Sequence, residues 1–124
     1  MEFGFERLNV WQESRQFCKF VYLLMKKFPK EEKFGLCSQI QRAAISISSN
    51  IAEGTSRISI KEKIHFIEIA WGSLMETLCQ LTLSFDLGYI SEDDITEARR
   101  FAENIAKMLS GLKSSFENQQ PPKQ

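Results

Sequence analysis

The stretch IKEKIHFIEIAWGSLMETLCQLTLSFDLG, residues 60 to 88, places apolar residues at alternating steps of four and three. This spacing puts them on one face of a helix of about eight turns. Ser59 and Glu62 form an S-x-x-E capping box at its start, in which each side chain satisfies an orphan backbone N–H. The predicted stripe consists of Ile60, Ile64, Ile67, Trp71, Leu74, Leu78, Leu81, Phe85 and Gly88.

Two earlier segments repeat the same pattern. Residues 8 to 28 have helical periodicity and end before Pro29, which cannot continue a helix. The stripe on this segment consists of Val10, Ser14, Phe17, Val21, Leu24 and Phe28. Residues 32 to 53 form the second segment, and Gly54 follows it. A glycine suits the left-handed position just after a helix end, so we predict that Gly54 terminates helix 2.

The last segment begins after Ser91, a suitable N-cap, and gathers acidic residues in its first turns, where the helix dipole favours negative charge. Short connections make successive helices antiparallel neighbours. We therefore predict an all-α fold, an antiparallel up-down-up-down four-helix bundle, over residues 1 to 117. Residues 118 to 124 contain two prolines and no periodicity, which predicts a disordered tail.

Helices 1 and 3 each carry a second stripe beside the main one. On helix 1 it comprises Trp11, Cys18, Tyr22 and Met25, and on helix 3 it comprises Phe66, Ala70, Ser73 and Thr77. The extra apolar surface favours self-association. A broader core-facing surface explains the same pattern equally well, so both interpretations stay open.

The overall composition limits the function classes. The 124 residues are 43% apolar and 26% charged, typical of one folded domain. Sixteen basic residues balance sixteen acidic ones, so contact with nucleic acid or anionic lipid would need a local patch. No run of 18 apolar residues predicts a membrane span, and three widely spaced cysteines suggest no disulfide framework. We expect a cytoplasmic protein.

The sequence offers no set of residues for catalysis. Glu62 and His65 form a single E-x-x-H pair, whereas a di-iron bundle needs such a pair on each of two helices. The serines at 46, 48 and 49 have no histidine nearby in sequence to activate them. We therefore predict no catalytic residues, no metal ligands and no cofactor, and a non-enzymatic protein.

Basic residues gather around two predicted turns. The candidate contact with nucleic acid or a partner is the set Arg42, Arg57, Lys61 and Lys63. Lys26, Lys27, Lys30 and Lys33 form a second cluster. Lys and Arg supply the sequence-independent part of nucleic-acid affinity. Glutamates are interleaved with both clusters, so ordinary solvated charge is the alternative explanation.

Three stretches resemble a known family. They are FERLNVWQES at 5 to 14, SQIQRAAISISSNIAEGTSR at 38 to 57 and GSLMETLCQL at 72 to 81. They resemble the four-helix-bundle family encoded within intervening sequences of bacterial 23S ribosomal RNA genes, over about residues 5 to 116. Gln41 and Ser48 depart from the family pattern, which usually has an arginine and a proline there.

This resemblance implies a homo-oligomer, in the form of a pentameric ring, but no established activity. Related bundles are accessory proteins of diversity-generating retroelements, in which a basic pentamer engages a reverse transcriptase and nucleic acid. For this neutral chain the expected partners are itself and RNA or a nucleic-acid-bound protein. The alternative is a scaffold that binds a protein partner without nucleic acid.

The family motif also implies structural roles, which we assign to Asn50, Glu53, Gly54, Gly72 and Glu76. For Asn50, Glu53 and Arg57 we expect polar contacts that hold the end of helix 2, since a helix end leaves four carbonyls in need of partners.

Overall fold

Four long helices make up the protein in a computed structural model that describes residues 1 to 119. They are α1 (Asn9–Met25), α2 (Leu36–Ser56), α3 (Ile60–Asp86) and α4 (Glu92–Asn118), with short 3-10 helices at Gly4–Arg7 and Lys30–Glu32. Each long helix packs against its neighbours in sequence, and α1 also packs against α4. No strand forms within this range. The predicted all-α, antiparallel up-down-up-down four-helix bundle is confirmed.

The core contains one face of each of α1, α2 and α4. The α1 stripe from Val10 to Phe28 is buried at every predicted position, and Phe17 and Val21 are fully buried. Ile40, Ile47 and Ile51 of α2 are likewise fully buried. The buried residues of α4 are Ile95, Ala98, Phe101, Ala102, Ile105, Leu109 and Phe116.

The face that α3 presents to the core overlaps only partly with the predicted one. Ile67, Leu74 and Leu81 are buried as expected, but Trp71 and Phe85 are 40% and 37% exposed. The stripe predicted to flank them is buried in their place, through Ala70, Ser73 and Thr77. The small side chains of this flanking stripe let α2 approach α3 closely. Because α3 turns this side towards the core, Trp71 and Phe85 of the large apolar stripe lie towards the surface.

Two glycines exchange their predicted roles. Helix α2 continues through Gly54 to Ser56, so the prediction that Gly54 ends the helix is wrong. A Cβ on Gly54 would lie 2.9 Å from the Cβ of Phe66, which shows that this glycine permits the close approach of α2 and α3. Gly88, predicted to belong to the α3 stripe, has a φ of +80° and caps the helix end. Its N–H donates to Phe85 O, and that of Tyr89 donates to Ser84 O.

The helix ends differ from prediction by a few residues. Helix α1 ends at Met25, and α2 begins at Leu36 rather than near residue 32, because the 3-10 helix Lys30–Glu32 precedes it. At the start of α3, Ser59 Oγ accepts from the Glu62 N–H at 3.0 Å, which is one half of the predicted capping box. The complete box forms at the predicted N-cap of α4, between Ser91 and Asp94.

The predicted tail begins within the described part of the chain and continues beyond it. Asn118, predicted to begin the tail, is the last residue of α4, and residues 120 to 124 of that tail lie outside the described residues. The domain boundary after residue 117 therefore stays a prediction.

Within residues 1 to 119, no helix combines the length and apolar character needed to cross a membrane.

Candidate functional site

Two of the four predicted contact residues are engaged within the protein. The Arg57 guanidinium binds Glu53 Oε1 at 2.7 Å and lies 4.7 Å from the centre of the Phe66 ring. Lys63 Nζ donates to Thr55 O at 3.0 Å, at the carbonyl end of α2. A cation at this end also interacts favourably with the negative end of the helix dipole. These contacts hold the turn between α2 and α3 together.

The other two, Arg42 and Lys61, are exposed. No carboxylate of residues 1 to 119 lies within ion-pair distance of either one. Arg42 stands fifteen residues before Arg57, a separation of about 22 Å along α2 at the rise of a helix. The structure thus brings Arg57, Lys61 and Lys63 to one turn and leaves Arg42 in the first third of α2, well away from that turn.

Asn50 of the family motif belongs to a polar contact between α2 and α3. Asn50 Nδ2 donates to the carbonyl oxygen and to Oγ of Ser46, at 2.7 and 2.9 Å. Ser73 Oγ donates to the same Ser46 Oγ at 2.8 Å and so links α3 to α2. Both Asn50 bonds lie within α2, whereas the prediction places them at the helix end. Glu53 and Arg57, predicted for the same end, pair with each other there.

The remaining motif residues face solvent on α3. Glu76 is exposed and accepts from Gln80 Nε2 at 3.2 Å. Gly72 is exposed too, and a Cβ added there would meet no atom within 4 Å. Close helix packing within the chain therefore does not explain Gly72, in contrast to Gly54.

The titratable groups do not converge into a reactive centre in the described chain. Within residues 1 to 119, no three His, Cys, Asp or Glu side chains are arranged to hold a metal ion. His65 is exposed and contacts the Phe66 ring edge-on. Burial raises the pKa of the Cys18 thiol, and burial together with the charge of Glu32 raises that of Cys37. A raised pKa keeps both thiols protonated and weakly nucleophilic.

A surface that the periodicity of the sequence does not predict lies on α3. We call it the α3 outer face, and it consists of Trp71, Gly72, Met75, Cys79 and Leu83, all exposed. Steps of three and four residues place them side by side on the helix. Trp71, Met75 and Leu83 are 40%, 39% and 50% exposed. Glu76 is the one charged residue between positions 69 and 85, a signal already present in the sequence.

A groove of about 310 Å³ runs beside the α3 outer face, between α3 and α4. Trp71, Ile67 and Leu109 give it an apolar lining, and Glu68 and Lys113 place one charge of each sign along it. An apolar groove with a few charges suits a protein side chain better than a highly charged ligand.

Comparisons with known proteins agree with this architecture. The family model for the 23S rRNA-intervening sequence protein matches residues 6 to 111. A crystal structure of a protein of unknown function from the S23 ribosomal protein family of Bacteroides thetaiotaomicron VPI-5482 superposes with a TM-score of 0.77 and 28% identity. The match covers 84% of this chain and 97% of that one. No curated protein matches. The chain belongs to the 23S rRNA-intervening sequence protein family.

Proposed function

We propose that this chain is a non-enzymatic interaction protein that assembles with copies of itself through the α3 outer face. The assembly is a ring of five, as the family resemblance implies, and it binds RNA or a nucleic-acid-bound protein. The observation that carries the proposal is the exposed apolar surface of α3, which the bundle itself leaves uncovered.

The α3 outer face has the character of a subunit contact. Charged residues are depleted at the centre of protein interfaces, and Trp and Met are enriched there. A ring with five-fold symmetry needs a heterologous contact, in which this face meets a different surface of the next copy. Gly72 supports this assignment, because the absent side chain leaves room on the face for a neighbouring chain.

Assembly would also strengthen a weak nucleic-acid contact. Arg42 and Lys61 are exposed and unpaired among residues 1 to 119, so each copy offers a few free cations. A ring repeats them, and linked weak contacts bind one polyanion much more tightly than a single contact does.

The second candidate function is a scaffold that binds a protein partner without nucleic acid. The contacts of Arg57 and Lys63 within the chain favour this scaffold function, because they leave fewer free cations in the predicted basic set to bind phosphates. Capture of a partner from lysate after nuclease treatment separates the two candidates. A partner retained in the absence of nucleic acid supports the scaffold, and one lost on treatment supports RNA binding.

Self-assembly is tested by the variant Met75→Lys, which places a charge in the α3 outer face. Because Met75 is already 39% exposed, the isolated fold should tolerate the change. We expect the mass measured by light scattering to fall from that of an oligomer to that of the 14.4 kDa monomer, with unchanged helical circular dichroism. The control Ile58→Lys, at a position 97% exposed in the α2–α3 turn, should leave the mass unchanged.

The opposite results are equally clear. A wild-type chain that is monomeric at all concentrations would contradict the proposed assembly. An oligomer that survives Met75→Lys would show that the subunit contact lies outside the α3 outer face.

For RNA binding, labelled structured RNA is titrated with the wild-type protein across a salt series. Affinity that falls as salt rises supports phosphate contacts, and no binding at low salt leaves the protein scaffold.

A further inference from the structure

The charges of this neutral chain are divided between its two halves. Residues 9 to 56, which include α1 and α2, contain seven cations and four carboxylates. Residues 60 to 118, which include α3 and α4, contain six cations and ten carboxylates. Since α1 packs on α2 and α3 packs on α4, a net charge of +3 and one of −4 lie on opposite sides of the bundle.

One line of side chains on α1 concentrates the positive charge. Arg15, Lys19, Tyr22 and Lys26 follow one another at steps of four, three and four, which places them on one face of the helix. All four are exposed, while the opposite face of α1 is buried from Val10 to Leu24. We call these four residues the α1 outer line. No aspartate or glutamate occurs between positions 14 and 30.

The cations of the α1 outer line form no ion pair within residues 1 to 119, unlike Arg57 of the α2–α3 turn. Within residues 1 to 119, no carboxylate lies within ion-pair distance of Arg15, Lys19 or Lys26. The adjacent Lys27 is the one that pairs, with Asp94 at 2.7 Å. Arg15 lies 5.5 Å from the centre of the Trp11 ring, a contact that orients the guanidinium and leaves its N–H groups available.

We propose that the α1 outer line binds the phosphate backbone of single-stranded RNA, with the Tyr22 ring stacked on a base. Arg15 and Lys26 are eleven residues apart, so the three cations span about 16 Å of helix, enough for several successive phosphates. Tyr22 lies between them and is 41% exposed. Cations that follow the backbone beside an aromatic ring are the usual means of binding single strands.

This site rests on the proposed function, because it takes RNA as the ligand. It places the RNA contact on the α1 outer line and not at the α2–α3 turn. A membrane surface is a weaker match for the same residues. A helix that lies on a membrane inserts a whole apolar face, whereas the main apolar face of α1 is buried in the bundle core. Tyr22 and Leu23 are its two large apolar side chains that are exposed.

The test compares two triple variants that remove the same charge. The first is Arg15→Gln, Lys19→Gln and Lys26→Gln. The control is Arg99→Gln, Arg100→Gln and Lys107→Gln on α4, whose wild-type side chains are also exposed. Binding of a labelled single-stranded RNA is measured at several salt concentrations. We expect the first variant to lose at least about tenfold in affinity at low salt and to lower the salt slope by about two. The control should change both quantities much less.

Tyr22→Ala separates base stacking from charge. We expect it to weaken single-strand binding by about fivefold or more, and to leave duplex RNA of equal length nearly unaffected because paired bases are not free to stack. An equal effect on both RNAs would overturn the stacking role of Tyr22.

The remaining outcomes also decide the proposal. Wild-type protein that binds no RNA removes the RNA part of the proposed function, and this site with it. Binding that survives the first variant but is lost in the control overturns the α1 outer line alone. Loss of oligomer mass in the first variant would assign the line to a subunit contact, and binding to phosphatidylserine vesicles without RNA binding would assign it to membranes.

Discussion

The bundle closes along two contacts of opposite character, one between α2 and α3 and one between α1 and α4. The first is made of small side chains. Gly54 lies against Phe66 with no room for a Cβ, and Ser46 and Ser73 share a hydrogen bond of 2.8 Å. Backbones can approach closely where side chains are this small, so we expect the α2–α3 contact to tolerate added volume poorly.

The contact between α1 and α4 is instead built from aromatic rings. The centre of the Phe101 ring lies 5.3 Å from that of Phe17 and 5.4 Å from that of Phe20. The ion pair between Lys27 and Asp94 closes one end of the same contact. Large interlocking side chains tolerate removal of volume poorly, because the space they leave does not refill completely. The two contacts should therefore respond to opposite kinds of mutation.

The largest effect is expected from Phe17→Ala in the aromatic contact. Phe17 is fully buried, so truncation removes apolar burial and leaves a cavity against Phe101. We expect the free energy of unfolding to fall by about 3–5 kcal/mol. Urea denaturation at a fixed protein concentration measures it, since assembly would make stability concentration-dependent. Phe17→Leu, which keeps most of the volume, should cost well under half as much; an equal cost would rule out the cavity explanation.

A smaller effect of the opposite kind is expected from Gly54→Ala. The new methyl group would lie 2.9 Å from the Phe66 Cβ, so α2 and α3 must separate, at a cost of about 1–3 kcal/mol. Gly111→Ala in α4 is the matched control, because a Cβ there meets nothing within 4 Å. It should stabilise the helix by up to about 1 kcal/mol through helix propensity. Denaturation midpoints that move in the same direction would show that Gly54 does not set the helix separation.

The smallest predicted effect concerns Asp94 and depends on pH. Burial alone would raise the pKa of its carboxyl, but hydrogen bonds from Lys27 and Ser91 and the charge of Lys27 hold that pKa below its usual value. Asp94 therefore stabilises the fold above the pKa of an unfolded aspartate, about 3.9, and this contribution is lost as pH falls through the lower folded value. We expect Asp94→Asn to cost about 1 kcal/mol at pH 7.

A series of denaturation measurements at different pH values tests the ion pair between Lys27 and Asp94. The difference in unfolding free energy between the wild type and Asp94→Asn should shrink as pH falls below about 4. Asp93→Asn, which removes a charge from the same helix turn, is the control. Among residues 1 to 119 its carboxylate has no cation at ion-pair distance, so its effect should be smaller. Equal effects at both positions would indicate the helix dipole rather than Lys27.

Periodicity in the sequence was enough to predict four helices and most of the core. It predicted the buried face of α1 correctly, because every position of the main stripe there packs into the core. On α3 it was only partly correct, because large apolar residues surround much of the helix and small ones share the buried side. Gly54 was misread for a related reason: sequence alone does not distinguish a glycine that ends a helix from one that admits a neighbouring helix.

The candidate surfaces were harder to predict than the fold. Counting charges over the whole chain gave zero and concealed the division between its halves. The spacing of Arg15, Lys19 and Lys26 is readable in the sequence, but only the structure shows that they form no ion pair with residues 1 to 119. The same holds for Arg57 and Lys63, whose proximity to one turn was predicted while their internal partners were not.

The division of charge between the halves has a kinetic consequence. A chain with zero net charge but opposite charges on its two sides behaves as an electric dipole and rotates in the field of a polyanion as it approaches. Encounters are then enriched in orientations that present α1 and α2 first, which raises the association rate without any change in isoelectric point. Added salt should slow this association steeply once the Debye length falls below the width of the bundle.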